Sequence, residues 1–355
     1  MDHIFNTIGL FKRDLVLRLS ALFFLCLTST ALAGQEADTV SFIHIADTHI
    51  CNLNGYHPVI AKSRAHYGDG SLPLMEFLNS VPKQAGADFV VITGDMIDFY
   101  EGETLDGKIL DTQVEQFSNL INNAHLPVFM SLGNHDICTY RVDNIDNRIA
   151  SDQINANRAR SSWIRNATCF RDGTYYSRVF QVDTTTYRLI FLDNAYYADN
   201  RQPDRPHFII DPFQLHWLDN ELKKSDSDIE IIFMHMPLFN PDRVDLEPTR
   251  NTYRLIPGDT VAHDHKLITV DSESNDLYNV LEKNSSVRLI LSGHLHSSII
   301  HNVQFSDNYS LTHLMTGAFA RDQRNWRQVK LTGNSIIVSF PGETREQYTI
   351  RLDYN

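Results

Sequence analysis

Beyond residue 33 this 355-residue chain has no apolar run long enough to cross a bilayer, no internal repeat and no low-complexity tract. Those absences exclude a helical membrane domain, a solenoid and a disordered linker protein. Basic side chains are in deficit, with 31 Lys and Arg against 44 Asp and Glu. Such a surface is wrong for gripping a nucleic-acid backbone. It leaves an anionic small substrate open, because bound metal ions can reverse the local field. Cysteine is scarce, at 4 residues.

The first 33 residues read as an export signal. Lys12, Arg13 and Arg18 precede the apolar run Leu19–Leu27, which is too short to span a bilayer, and Ala31-Leu32-Ala33 supplies a small-x-small cleavage site. Cleavage after Ala33 would remove 3 basic and 2 acidic residues, leaving 28 against 42, a net charge of −14. A periplasmic or secreted location follows as an expectation. Cys51, Cys138 and Cys169 would remain. Three thiols leave at least one unpaired, and Cys138 with Cys169 is one candidate bridge. Asn166, Asn284 and Asn308 each begin an Asn-x-Ser/Thr triplet, which matters only in a host that glycosylates. About 320 residues can bury the core of one large α/β domain or of two.

Five buried-strand patterns each end in metal-ligand chemistry. Val40–Ala46 leads into Asp47-Thr48-His49, where an extended chain would turn residues i and i+2 to one side. Asp88–Thr93 ends in Gly94-Asp95-Met96-Ile97-Asp98. A carboxylate has two oxygens, so Asp95 could serve two ions. Pro127–Leu132 ends in Gly133-Asn134-His135-Asp136. Asn134 offers a neutral oxygen, and the adjacent His135 an acid or a donor. Ile229–Met234 ends in His235, and Val287–Ser292 in Gly293-His294-Leu295-His296. Carboxyl ends of strands in open α/β sheets are where ligands bind.

Between these lie helices expected over 74–84, 111–123, 151–165, 213–224 and 275–283, and paired strands over 174–182 and 187–193. Residues 54–72 read as a polar loop over the site, with His57, Arg64, His66, Tyr67 and Asp69. Residues 236–269 read as a long polar connection. His263 and His265 within it lack neighbouring ligand types and are taken as surface residues. Residues 297–355 alternate like antiparallel strands that close a second sheet.

In order, Asp47-x-His49, Gly94-Asp95-x-x-Asp98, Gly133-Asn134-His135-Asp136, His235 and Gly293-His294-x-His296 resemble the five blocks of the calcineurin-like metallophosphoesterases. The resemblance runs to about His296. It implies a signal peptide (1–33) followed by one catalytic domain (34–355), an α/β fold in a four-layer α/β/β/α sandwich of two mixed sheets flanked by helices. A dinuclear metal site would sit at the strand carboxyl ends. By resemblance Asp47, His49, Asp95 and His296 hold one ion, and Asp95, Asn134, His235 and His294 the other. Mixed oxygen and nitrogen ligands suit Mn, Fe or Zn. A water bridging the ions would attack phosphorus in line, His135 would protonate the leaving oxygen, and Asp98 would pair with His135.

Some branches fit less well. Purple acid phosphatases carry a Tyr ligand where this chain has Asp98 and lack a His at position 49. Protein phosphatases continue Gly-Asp-x-x-Asp with Arg-Gly, whereas Phe99-Tyr100 stands here. The Asp-x-His start and the Trp217-Leu218 helix look closer to exported, cyclic-nucleotide phosphodiesterase-like members. The function implied is an exported phosphatase or phosphodiesterase acting on a small phosphoester. A nucleotidase or nonspecific acid phosphatase is the alternative within the class, and a non-catalytic binding protein on the same fold the alternative outside it. Preference for monoesters or diesters, and the oligomeric state, are not legible.

Overall fold

The computed structural model describes residues 38–143, 145–195, 197–198, 206–207, 210, 212–224, 228–238, 260–263, 266–269, 277–340 and 348–352. The export segment and His265 lie outside these residues, as does most of the 236–269 connection.

Val40–Ile45 is buried at every position, which requires covering on both faces. It sits inside a six-stranded mixed sheet in the order Tyr348–Arg351, Ser335–Ser339, Arg327–Leu331, Val40–Ile45, Phe89–Thr93, Val128–Ser131. The last three strands are mutually parallel, with Phe42 opposite Phe89 and Val90 opposite Val128. A second mixed sheet runs Ile299–Ser306, Tyr309–Met315, Val287–Ser292, Ile229–Phe233, Thr185–Phe191, Tyr176–Val182. Its central strands are also parallel.

Aromatic rings join the two sheets. Phe42 meets Phe233 edge-on at 5.6 Å, and Phe233 stacks on Phe191 at 4.6 Å. The period-2 alternation of the second sheet then divides its side chains. Leu189, Phe191, Ile231, Phe233, Leu289 and Leu291 join the cluster that holds the first sheet. Ile190, Ile232 and Ile290 join Leu218, Leu222, Leu277 and Leu281 from the helices Pro212–Leu222 and Leu277–Glu282. The helices Ser71–Gln84, Gln113–Ile121 and Ala156–Asn166 send Leu74, Phe77, Phe117 and Trp163 into the first cluster. Burying one such aromatic is worth roughly 1.5–3 kcal/mol, a large part of a domain's net stability of roughly 5–15 kcal/mol. Among the described residues no helix is long and apolar enough to cross a membrane.

Several expectations change. Residues 54–72 are not all loop, since Pro58–Arg64 is helical, with His57 Nδ1 accepting from Val59 N at 3.2 Å to cap it. Of the helix expected over 151–165 only 156 onward forms, because Arg148–Asp152 pairs with Thr139–Asp143. That hairpin belongs to a small four-stranded sheet with Glu101–Glu103 and Ile109–Leu110. The 236–269 connection contains a hairpin, Thr260–His263 with Lys266–Thr269. Residues 297–355 do not close one sheet: Ile299–Met315 extends the second, and Arg327–Arg351 completes the first. Cys51, Cys138 and Cys169 are free, buried thiols, so the Cys138–Cys169 bridge does not form. Burial raises all three thiols, that of Cys169 to about 12, and keeps them protonated.

Candidate metal centre

The strands that precede the five motifs run parallel within their sheets, so their carboxyl ends gather on one edge. The loops there lock together through main chain. Asp47 N donates to Gly94 O at 3.1 Å, His49 N to Asp95 O at 2.9 Å and Gly293 N to His235 O at 3.1 Å. The two sheets are joined at the site itself: His294 N donates to both oxygens of Asp47, at 3.1 and 3.0 Å, and His235 Nδ1 to Thr93 O at 2.9 Å.

The chain does not stay extended through Asp47 and His49. Asp47, His49, Asp95, His294 and His296 all have left-handed backbones, with φ of 54°, 42°, 49°, 72° and 56°. Each costs of order 1–3 kcal/mol and persists only where its surroundings hold it. The kinks, rather than strand alternation, bring the paired side chains together. Glycines supply the clearance: a Cβ at Gly133 would overlap the main chain and carboxylate of Asp95, and one at Gly293 the carboxylate of Asp47.

Three groups of ligand-type atoms result. Asp47, His49, Asp95 and His296 form the first, Asp95, His235 and His294 the second, and His49, Asp98 and His135 a third. In the first, His296 Nε2 lies 3.3 Å from Asp47 Oδ1 and 3.2 Å from His49 Nε2, itself 3.7 Å from Asp95 Oδ2. In the second, His235 Nε2 lies 3.2 Å from Asp95 Oδ2, 3.2 Å from Asn134 Oδ1 and 3.3 Å from His294 Nδ1. Asp95 joins the first two groups through one oxygen, Oδ2, because Oδ1 accepts from His135 N at 2.9 Å.

These contacts test whether metal fits. His235 Nδ1 faces a carbonyl and must carry its proton there, so Nε2 presents a lone pair. That lone pair faces a carboxylate oxygen, an amide oxygen and a second imidazole nitrogen. His49 has its Nδ1 3.3 Å from Asp98 Oδ1, in ion-pair reach, and its Nε2 faces His296 and Asp95. Acceptors converging on acceptors repel unless a cation or proton lies between them. The donor set fits two ions that share Asp95 Oδ2.

Protonation of the metal-free site reflects the same convergence. Burial works to lower His235, but the Asp95 carboxylate, with Asp47 and the Thr93 carbonyl, lifts it to about 9. Burial and then the charge of His235 press His294 down to about 3. Asp98 falls to about 2 despite its burial, held down by Arg64 and then His49. Asp136 is pushed upward by burial and by Asp95, while accepting from Gly133 N at 2.7 Å and Ile97 N at 3.1 Å. It thereby ties two motif loops together.

All nine residues singled out in the sequence therefore lie together, and Asp98 has closer partners besides the His135 that the resemblance gave it. Its carboxylate takes Arg64 in a fork, at 2.7 and 2.6 Å, and lies 3.3 Å from His49 Nδ1. His135 Nδ1 donates to the main-chain oxygen of Asp98 at 2.7 Å, with the carboxylate in ion-pair reach at 3.7 Å. Tyr140 Oη is 3.3 Å from the same nitrogen. Tyr67 stacks on His49 at 4.2 Å and 9°. Arg64 and Tyr67 stood among the polar residues read as covering the site, with nothing in their spacing to mark a role.

A family model for calcineurin-like phosphoesterase matches residues 40–298. A search of curated sequences finds no match. Among solved structures, a dimetal phosphatase from Danio rerio superposes with a TM-score of 0.53 at 15% identity, covering 88% of this chain and 99% of its own. A purple acid phosphatase from yellow lupin seeds covers 90% of this chain and 55% of its own, with a TM-score of 0.48 at 14% identity.

Proposed function

This chain belongs to the calcineurin-like phosphoesterase family, and on that premise we propose an exported phosphatase or phosphodiesterase in which seven side chains hold two metal ions. Asp47, His49, Asp95 and His296 take one ion; Asp95, Asn134, His235 and His294 take the other. The observation that carries this reading is the convergence of lone pairs on two points that share Asp95 Oδ2. Two bound cations would supply Lewis acidity to the phosphate oxygens and lower the pKa of a water held between them.

The chain's own residues set up the rest. Asp95 Oδ1 is fixed by His135 N, which orients the shared carboxylate. His135 is partly exposed at the site, and its Nδ1 is committed to the Asp98 carbonyl. That leaves Nε2 to carry the proton for a departing oxygen. The purified chain, stripped and reloaded with Mn or Zn, should hydrolyse para-nitrophenyl phosphate or its bis ester. A chelator should abolish the activity and the metal restore it. A chain carrying two ions yet inert toward both esters would overturn the reading.

Export rests on the order of charged, apolar and small residues before Gly34. N-terminal sequencing of the protein from its native host should begin at Gly34. A start at Met1 would count against export.

A further inference from the structure

We infer that Arg64 and Tyr67 are positioning residues for the first metal site, both acting on its ligand His49. Arg64 acts through Asp98, Tyr67 through its ring. The inference rests on the two-metal reading above and adds residues that no motif of the chain contains.

An imidazole that offers Nε2 to a metal must keep its proton on Nδ1, and a carboxylate accepting that proton fixes both tautomer and ring plane. Asp98 Oδ1 stands 3.3 Å from His49 Nδ1, an ion-pair contact whose angle does not make a hydrogen bond in the metal-free site. Asp98 is fully buried and would be costly as an uncompensated charge. Arg64 supplies the compensation through two parallel bonds, Nε to Oδ2 at 2.7 Å and Nη2 to Oδ1 at 2.6 Å. A planar fork of this kind fixes direction as well as charge. One oxygen, Oδ1, therefore lies between the guanidinium and the imidazole.

Tyr67 adds a second restraint on the His49 ring by covering one face, stacked at 4.2 Å and 9°. Tyr67 in turn lies 5.2 Å from the Arg64 guanidinium carbon, which also rests 5.5 Å from the Tyr140 ring. Both residues come from the stretch formed by the short helix Pro58–Arg64 and the turn after it. This stretch is a wall of the first site.

The test is calorimetric titration of the metal-stripped full chain with Zn or Mn, on variants whose metal-free thermal unfolding matches wild type. Wild type should show two binding events. Arg64→Lys, which keeps charge but loses the fork, and Tyr67→Leu should each weaken one event by roughly 10–100-fold, the usual effect of removing an outer partner. It should be the event that His49→Ala abolishes. Tyr67→Phe, which keeps the stack, should bind like wild type. Millimolar guanidinium should restore the weakened event in Arg64→Ala. Two wild-type events in both Arg64→Ala and Tyr67→Leu would overturn the inference while leaving the two-metal reading intact. A wild-type chain that shows no second event would overturn that reading itself.

Discussion

His135 and Asp98 are paired in the mechanism that the resemblance implies, and in the structure the shorter contact of His135 is to the Asp98 carbonyl, at 2.7 Å, with the carboxylate at 3.7 Å. His135 is held by a carbonyl and a tyrosine hydroxyl, and its ring nitrogen groups with His49 and Asp98 rather than with Asp95, Asn134 or His235. His135→Ala should therefore keep both metals while losing roughly 10²–10⁴-fold in rate, the range of a general-acid contribution. The loss should shrink for nitrophenyl esters, whose leaving oxygen needs little protonation, and stay large for alkyl esters. Equal losses for both would mean that His135 stabilises charge on phosphorus instead. Loss of a metal would make it a ligand. Asp98→Asn belongs to a different class, because its carboxylate serves His49, and its cost should appear first in metal affinity.

At the scale of elements, what the sequence could show was whatever repeated or ran long. Five apolar strand patterns, each stopping at a Gly, Asp, Asn or His, could be placed because a fully buried parallel strand is a continuous run with an abrupt polar end. Their meeting point followed from parallel neighbours sharing a carboxyl edge. Four things were not legible. Glu101–Glu103 and Ile109–Leu110 are too short for any period to register, so their small sheet went unseen, and with it the pairing that delays the Ala156–Asn166 helix. Alternation in residues 297–351 reports that strands form but not which edge they join, and they divide between two sheets. The roles of Arg64 and Tyr67 depend on a helix of only seven residues folding back over His49, a tertiary contact that leaves no pattern in a polar stretch. The left-handed turns at Asp47 and His49 were equally hidden, since the extended spacing predicts the same convergence by another route.

Away from the molecule's metal-ligand edge, the start of the second sheet's central strand holds another buried charged group, Glu230 beside Asp228, Glu221 and Arg188. Glu230 lies one residue into Ile229–Phe233, whereas His235 follows the strand's end, so the strand separates the two groups. Glu230 is fully buried, and its main chain is in register with Arg188. Burial, with Asp228 adding to it, pushes its carboxyl from 4.5 up to about 7, against the opposing pull of Ser286 and Arg188. Below about pH 4.5 the folded and unfolded chains both hold this proton. Between 4.5 and 7 the unfolded chain has released it while the folded chain has not, so folding takes up a proton and stability falls as pH rises. Above 7 the loss is complete. A shift of this size corresponds to about 3 kcal/mol, taken as an order of magnitude. Glu230→Gln, which cannot ionise, should therefore gain stability relative to wild type on going from pH 5 to pH 8. Other groups, including the metal ligands, titrate in both proteins and cancel in the comparison. Urea unfolding of the two metal-free chains at both pH values reads the difference directly. A stability difference that stays constant across that range would show that Glu230 ionises in the folded chain as readily as in the unfolded one.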